Sequence, residues 1–114
     1  MVDVLSPAGS KADVSSPAGS FAFPADHPCF PGHMPGHPLA PGALLLDRAL
    51  HLLTAHGLLP ERHGLVTAKF LAPVGPGDEV TVVGQRSPSG GVSFEGRICG
   101  RRVFTGRVLP ASPP

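Results

Sequence analysis

Tryptophan and tyrosine are absent, and six phenylalanines among 114 residues supply all the aromatic packing. Charge is also sparse. Nine Lys and Arg against eight Asp and Glu leave a formal net charge of +1, which excludes a protein that grips nucleic acid through a basic surplus. Two cysteines, Cys29 and Cys99, make no disulfide framework and are expected as free thiols. No apolar run approaches the roughly 20 residues that cross a bilayer. Met1-Val2-Asp3-Val4 is not a basic region leading into an apolar stretch, so no signal peptide is expected. The expectation is a soluble, cytoplasmic protein with no membrane insertion. What the chain holds in excess is Pro and Gly, fifteen of each, a share near the level that signals disorder. Hydrophobic residues nevertheless make up 41% of the chain, enough for one domain and too few residues in all for two.

The Pro and Gly fall into distinct places. Asp3-Val4-Leu5-Ser6-Pro7-Ala8-Gly9-Ser10 returns as Asp13-Val14-Ser15-Ser16-Pro17-Ala18-Gly19-Ser20. Two copies are too few for a solenoid, and their small, Ser-rich composition buries little. Residues 1–20 are therefore expected to form a disordered low-complexity leader, 21–110 a single domain and 111–114 a tail. Six prolines and three glycines between Pro24 and Gly42 exclude a regular helix or central strand there. That segment is a shaped loop, and it delivers the chain into a helix running from Pro41-Gly42 to His56, closed by Gly57. The helix is apolar around most of its circumference, which predicts burial on several sides.

Beyond Pro60 the period changes to two. Leu65–Leu71, Glu79–Gln85, Val92–Ile98 and Arg102–Leu109 read as strands, separated by Pro- and Gly-bearing turns. Ser20–Phe23 is a candidate fifth strand. One long helix followed by an antiparallel meander gives an α+β class, with the sheet wrapped around the helix.

Three residues stand out chemically. Asp47 is the only acid between Ala43 and His56, among Leu and Ala, so it is exposed, paired or functional. Burial would favour the protonated form that a general acid needs. His33, held between Gly32 and Pro35, suits a general base, while an exposed loop histidine is the alternative. The Gly42 N–H lies at the positive end of the helix dipole, where it could polarise a carbonyl oxygen. His27, Cys29, His33 and His37 offer metal-ligand chemistry, but their spacing matches no paired Cys/His pattern, and no metal or other cofactor is expected.

These residues sit within longer motifs. Gly32-His33-Met34-Pro35-Gly36-His37-Pro38-Leu39-Ala40-Pro41-Gly42, followed by an apolar run to Asp47, resembles the signature of the β-hydroxyacyl-ACP dehydratases. Lys69-Phe70-Leu71-Ala72-Pro73-Val74-Gly75-Pro76-Gly77-Asp78 resembles that family's second conserved stretch. The resemblance implies a hotdog fold, an antiparallel sheet wrapped around one long central helix. It further implies a homodimer whose interface holds the active sites, with the histidine from one chain and the acid from the other. The implied reaction is dehydration of 3-hydroxyacyl-ACP to trans-2-enoyl-ACP, in fatty-acid or polyene- and polyketide-like biosynthesis. His33 and Asp47 then become catalytic, Gly42 binds the carbonyl, and Met34, Pro41 and Leu46 line the acyl tunnel.

Met34 stands where the family usually has Phe, and the acid is Asp, as in the branch of the family that can also isomerise, whereas most of the branch lacking isomerase activity has Glu. The Ser-Pro-Ala-Gly-Ser repeat also replaces the further helix and strand of longer relatives. The implied partner, acyl carrier protein, is acidic. Lys69, Arg86, Arg97, Arg101, Arg102 and Arg107 concentrate basic charge in the sheet half, and Arg101 and Arg102 are the candidates for carrier docking. The rival functions are a hotdog acyl thioesterase and a non-catalytic hotdog subunit of a heteromeric dehydratase.

Overall fold

The inner face of the sheet is built from alternating large and empty positions. Phe94 lies over Gly106 and Phe104 lies over Gly96, while Leu53 of the helix fills the space above Gly84. A Cβ on any of these three glycines would overlap the side chain that covers it. Small residues thus let one sheet face approach the helix closely while phenylalanine supplies the volume.

The computed structural model describes residues 16–30, 40–60 and 62–111. Expectations for residues 1–15, for loop residues 31–39 and for residues 112–114 lie outside the described residues. The elements are β1 (Ser16–Phe21), α1 (Gly42–Ala55), β2 (Val66–Phe70), β3 (Val80–Arg86), β4 (Val92–Ile98) and β5 (Arg101–Val108). All pairings are antiparallel, and the strand order is β1-β3-β4-β5-β2. The expected α+β architecture is present. The last four strands lie within two residues of their predicted ends, and Val92–Ile98 coincides with its prediction.

The first strand differs. It begins at Ser16 rather than Ser20, so half of the second repeat copy is paired with β3. The register shifts between Pro17 and Gly19, and Gly19 takes a φ of 138°. A Cβ there would sit 2.9 Å from Cδ2 of Leu52. Glycine is therefore needed at this position both for its backbone angle and for the approach of α1.

Leu45, Ala49 and Leu53 form the fully buried stripe of α1 and join Phe23, Phe30, Val74, Val80, Val82, Phe94 and Phe104 in the core. Leu44, Leu46, Leu50 and Leu52 are half-buried, while Ala43, Asp47 and His51 are exposed. Within one chain the helix is thus buried along one stripe rather than on several sides. The helix ends at Ala55, and Gly57 accommodates the reversal with a φ of 82°. The Arg86 guanidinium donates to the Gly57 carbonyl at 2.6 Å, fixing the end of β3 to the end of α1. Among the described residues no helix is long and apolar enough to cross a membrane.

Candidate active site

Two segments distant in sequence meet at the start of α1. The Ala40 N–H donates to the Val74 carbonyl at 2.8 Å, joining the chain that leads into the helix to the chain that leaves β2. At the other end of the second segment, the Gly77 N–H donates to the Phe23 carbonyl at 2.9 Å. Asp78 closes the Pro-Gly turn between them, because its Oδ2 accepts the Gly75 N–H at 2.9 Å. The carboxylate of the second motif thus shapes a turn, with no solvent-facing chemical role required of it.

Between these segments lies an open cleft of about 390 Å³, lined by Ala40, Gly42, Leu45, Phe70, Leu71, Ala72, Pro73 and Val74. The side chains on its wall are all apolar. Gly42 is one of the lining residues, and its N–H, at the first helical position, has no backbone acceptor among the described residues. Leu44 and Leu45 already donate to the Pro41 carbonyl, so the first turn is closed behind it. A free N–H at a helix start, beside apolar surface, suits a developing negative oxygen.

The ring of Phe70 lies directly on Gly42. A Cβ at position 42 would come within 2.8 Å of the Phe70 Cε2 atom. Phe70 also tilts against the buried Phe104, with ring centroids 6.3 Å apart. The glycine at the first helical position therefore lets an aromatic wall approach the helix start.

Asp47 lies on the far side of the helix from the buried stripe and is not among the residues that line the cleft. Its side chain is 69% exposed, and Oδ2 sits 3.5 Å from the Arg48 guanidinium. The reason is periodicity: two residues on from Leu45 and two before Ala49, position 47 points away from both. Burial of this carboxylate, considered from sequence, does not occur within the single chain. Arg48 also lies 5.7 Å from the ring centre of Phe23, which holds it beside the aromatic group formed by Phe23, His27 and Phe30.

Of the predicted tunnel residues, Pro41 and Leu46 are half-buried but do not line this cleft, whereas their neighbours Gly42 and Leu45 do. His33 and Met34 lie outside the described residues, as does His37. His27 accepts the Cys29 N–H at Nδ1, 3.0 Å away, so it serves the turn of the loop. Among the described residues no cluster of three metal-ligating side chains occurs. Phe70, Leu71 and Val74 were quoted as part of a motif but not recognised as lining; the apolar positions on either side of Pro73 were the available signal.

Arg101 and Arg102 are exposed at the start of β5. The next residue, Val103, accepts the Leu71 N–H at 2.8 Å, which places this basic pair one residue from the strand end that walls the cleft. Lys69, Arg102 and Arg107 contribute to an open groove on the outer sheet face. Arg97 is neutralised by Glu95.

Residues 10–107 match the family described as the ApeI-like, ApeI dehydratase family. The chain belongs to that family. Among curated relatives of this ApeI-like chain, the 3-hydroxyacyl-[acyl-carrier-protein] dehydratase FabZ of Syntrophotalea carbinolica is 39% identical over 62 residues, covering 46% of this chain and 42% of the relative. The FabZ of Haemophilus influenzae strain PittEE is 36% identical over 67 residues, covering 48% and 43%. The matched part thus spans less than half the length of these relatives.

Among solved structures, the dehydratase heterocomplex ApeI:P from Xenorhabdus doucetiae superposes with a TM-score of 0.71 at 17% identity, covering 89% of this chain and 90% of that one. An uncharacterised protein from Erwinia carotovora subsp. atroseptica gives 0.67 at 25% identity, covering 87% and 86%. The fold is the hotdog fold, an antiparallel sheet about one central helix, as the motifs implied.

Proposed function

We propose that this ApeI-like chain dehydrates 3-hydroxyacyl thioesters carried on acyl carrier protein to trans-2-enoyl thioesters. The observation supporting this most strongly is the Gly42 N–H at the helix start, which has no acceptor among the described residues, beside a cleft lined by residues of both motifs. An acyl chain beside that wall would bring its thioester carbonyl toward the donor.

In this reading His33 takes the α-proton. The electrons of that C–H bond form the Cα–Cβ double bond as the β C–O bond breaks, and Asp47 supplies the proton with which the hydroxyl leaves as water. The Gly42 N–H holds the negative charge that develops on the thioester oxygen. Histidine then carries one more proton and aspartate one fewer, and exchange with solvent restores both. The base, the acid and the oxyanion donor all come from the polypeptide, so the proposed step uses no cofactor.

Asp47 faces outward on its own chain. That agrees with a site shared by two subunits, in which the acid of one protomer serves the histidine of its partner. Burial then comes from association rather than from folding. Arg101 and Arg102, one residue from the cleft wall, are proposed to receive the acidic carrier.

A second reading is favoured by one finding, the heteromeric neighbour of similar fold. In it this chain is a non-catalytic subunit that needs a partner for turnover. Incubation of the purified chain alone with 3-hydroxyacyl-ACP separates the two. Enoyl-ACP formation supports the first reading, and formation only after a second protein is added supports the second. Release of free thiol would instead indicate a thioesterase.

A further inference from the structure

Basic charge is unevenly placed along the chain. Lys69, Arg97, Arg101, Arg102 and Arg107, five of its nine basic residues, fall on β2, β4 and β5, and Glu95 is the one acid within those strands. Glu95 is taken up by Arg97. Among the described residues no ion pair joins Lys69, Arg102 or Arg107 to a carboxylate. The functional reading uses Arg101 and Arg102 and leaves Lys69 and Arg107 without a role.

Register brings these two together on the outer face of the sheet. Val92, Phe94, Phe104 and Val108 are buried in the core, so alternation turns Ser93, Glu95, Thr105 and Arg107 away from the helix. Thr67 lies opposite Arg107, and Lys69 lies opposite Thr105. The four residues form a square across β2 and β5, with the cations on one diagonal and the hydroxyls on the other. On one sheet face, directly opposed residues have Cβ atoms about 5 Å apart and diagonal ones about 7 Å, within reach of long side chains. Between them lie Ala68 and Gly106, which pair with each other. The ring of Phe94 covers Gly106 from the inner face, so on the outer face the floor of the square is bare backbone. All six residues line one open groove of about 500 Å³, which shares no lining residue with the cleft at the helix start.

A bulge adds a further cation. Gly96 pairs with Phe104 but Arg97 pairs with Arg102, so Val103 is the extra residue of β5, and Val103 and Phe104 are both buried. Plain alternation from Phe104 would have turned Arg102 inward. The bulge re-aims it into the groove, on the side of Thr105 away from Arg107. We propose that the square is a binding site for a phosphomonoester, its phosphoryl group seated over Ala68 and Gly106. Lys69 and Arg107 grip it from opposite corners, and the Thr67 and Thr105 hydroxyls donate between them. A carboxylate offers two oxygens in one plane. A phosphomonoester offers three, spread tetrahedrally and carrying close to two negative charges, which matches donors converging from four corners with no acid among them. Such an anion also relieves the repulsion between two cations held on one diagonal.

The test requires neither turnover nor a carrier, so its outcome is independent of the reaction proposed above. Amide NMR spectra of the full chain are followed at pH 8 and constant ionic strength as sodium phosphate replaces sodium chloride, with sodium acetate as the parallel titrant. The expected result is a saturable shift at Thr67, Ala68, Lys69, Thr105, Gly106 and Arg107 with phosphate, and a much weaker response to acetate. Lys69→Gln and Arg107→Gln are each expected to raise the dissociation constant about tenfold or more. Arg48→Gln, which removes a charge from the helix side, should leave it unchanged. Equal responses to phosphate and acetate, shifts that do not saturate, or an affinity indifferent to both glutamine variants would overturn the site.

Should the glutamine variants lose the native spectrum, Thr105→Val carries the comparison, since it removes the central hydroxyl and keeps a β-branched side chain on the strand. It is expected to weaken phosphate binding several-fold, and an unchanged constant would contradict the seat. Glycerol phosphate and a phosphoserine peptide then separate the two sources of a phosphomonoester. Tighter binding of the peptide assigns the phosphate to a protein chain, and equal or tighter binding of glycerol phosphate assigns it to a small molecule; either supports the site.

Discussion

Phe70 and Gly42 are in van der Waals register: the phenyl ring occupies the space that a side chain at position 42 would need, with Cε2 2.8 Å from the ideal Cβ. Gly42→Ala must therefore push the ring or the helix start aside. Phe70 is 47% exposed, so it can yield, and the loss of stability is expected to be small. The catalytic cost is larger, because a displacement of about 1 Å can lower turnover a hundredfold. The expected result is a fall in kcat of about ten- to a hundredfold with little change in melting temperature. Adding Phe70→Leu, which makes room, should recover part of the loss.

His33→Ala and Asp47→Asn are each expected to lower the dehydration rate by about a hundredfold or more. Asp47 contributes little to the stability of one chain, since its ion pair with Arg48 is exposed. Its substitution should thus leave the thermal midpoint nearly unchanged while turnover is lost. A single-turnover assay alongside calorimetry reads both quantities.

The glycines under the phenylalanine rings lead to the opposite kind of variant. Phe104 is fully buried and rests on Gly96. Gly96→Ala is expected to destabilise the fold by about 1–3 kcal/mol through overpacking. Leu53→Ala, at a fully buried helix position, should cost about 2–5 kcal/mol through the cavity it leaves. Urea denaturation at constant protein concentration checks both.

Much of this was legible in the sequence because it is local. The period-two runs after Pro60 and the Gly57 stop gave four strands and the helix end, since turn residues and alternation act over a few positions. The first strand was read four residues short because Ser16-Pro17-Ala18-Gly19 has little strand propensity of its own. Its pairing with β3 and its contact with Leu52 are tertiary. The cleft shows the same division. Gly42 was recognisable from its place at the helix start, whereas Phe70 and Leu71 line the cleft through a fold that joins Ala40 to Val74. The outward aspect of Asp47 follows from the helical spacing of Leu45, Ala49 and Leu53, but which stripe the sheet would cover was not visible in a run so uniformly apolar.

Charge reversal at Arg101 and Arg102 is expected to raise KM for an acyl-carrier substrate several-fold with little change in kcat, and to weaken its dependence on salt. A small-molecule thioester that lacks the carrier should show neither effect. Rates measured across a range of ionic strength distinguish docking from a general loss of activity.

The central claim is that this chain performs the elimination with its own histidine, aspartate and glycine N–H. Its most direct test is mass spectrometry of 3-hydroxyacyl-ACP incubated with the purified protein, and with the His33→Ala and Asp47→Asn variants. Loss of one water from the acyl chain, with the thioester intact and the reaction abolished in both variants, is the predicted result. An unchanged substrate with the parent protein, or equal water loss in parent and variants, would contradict it.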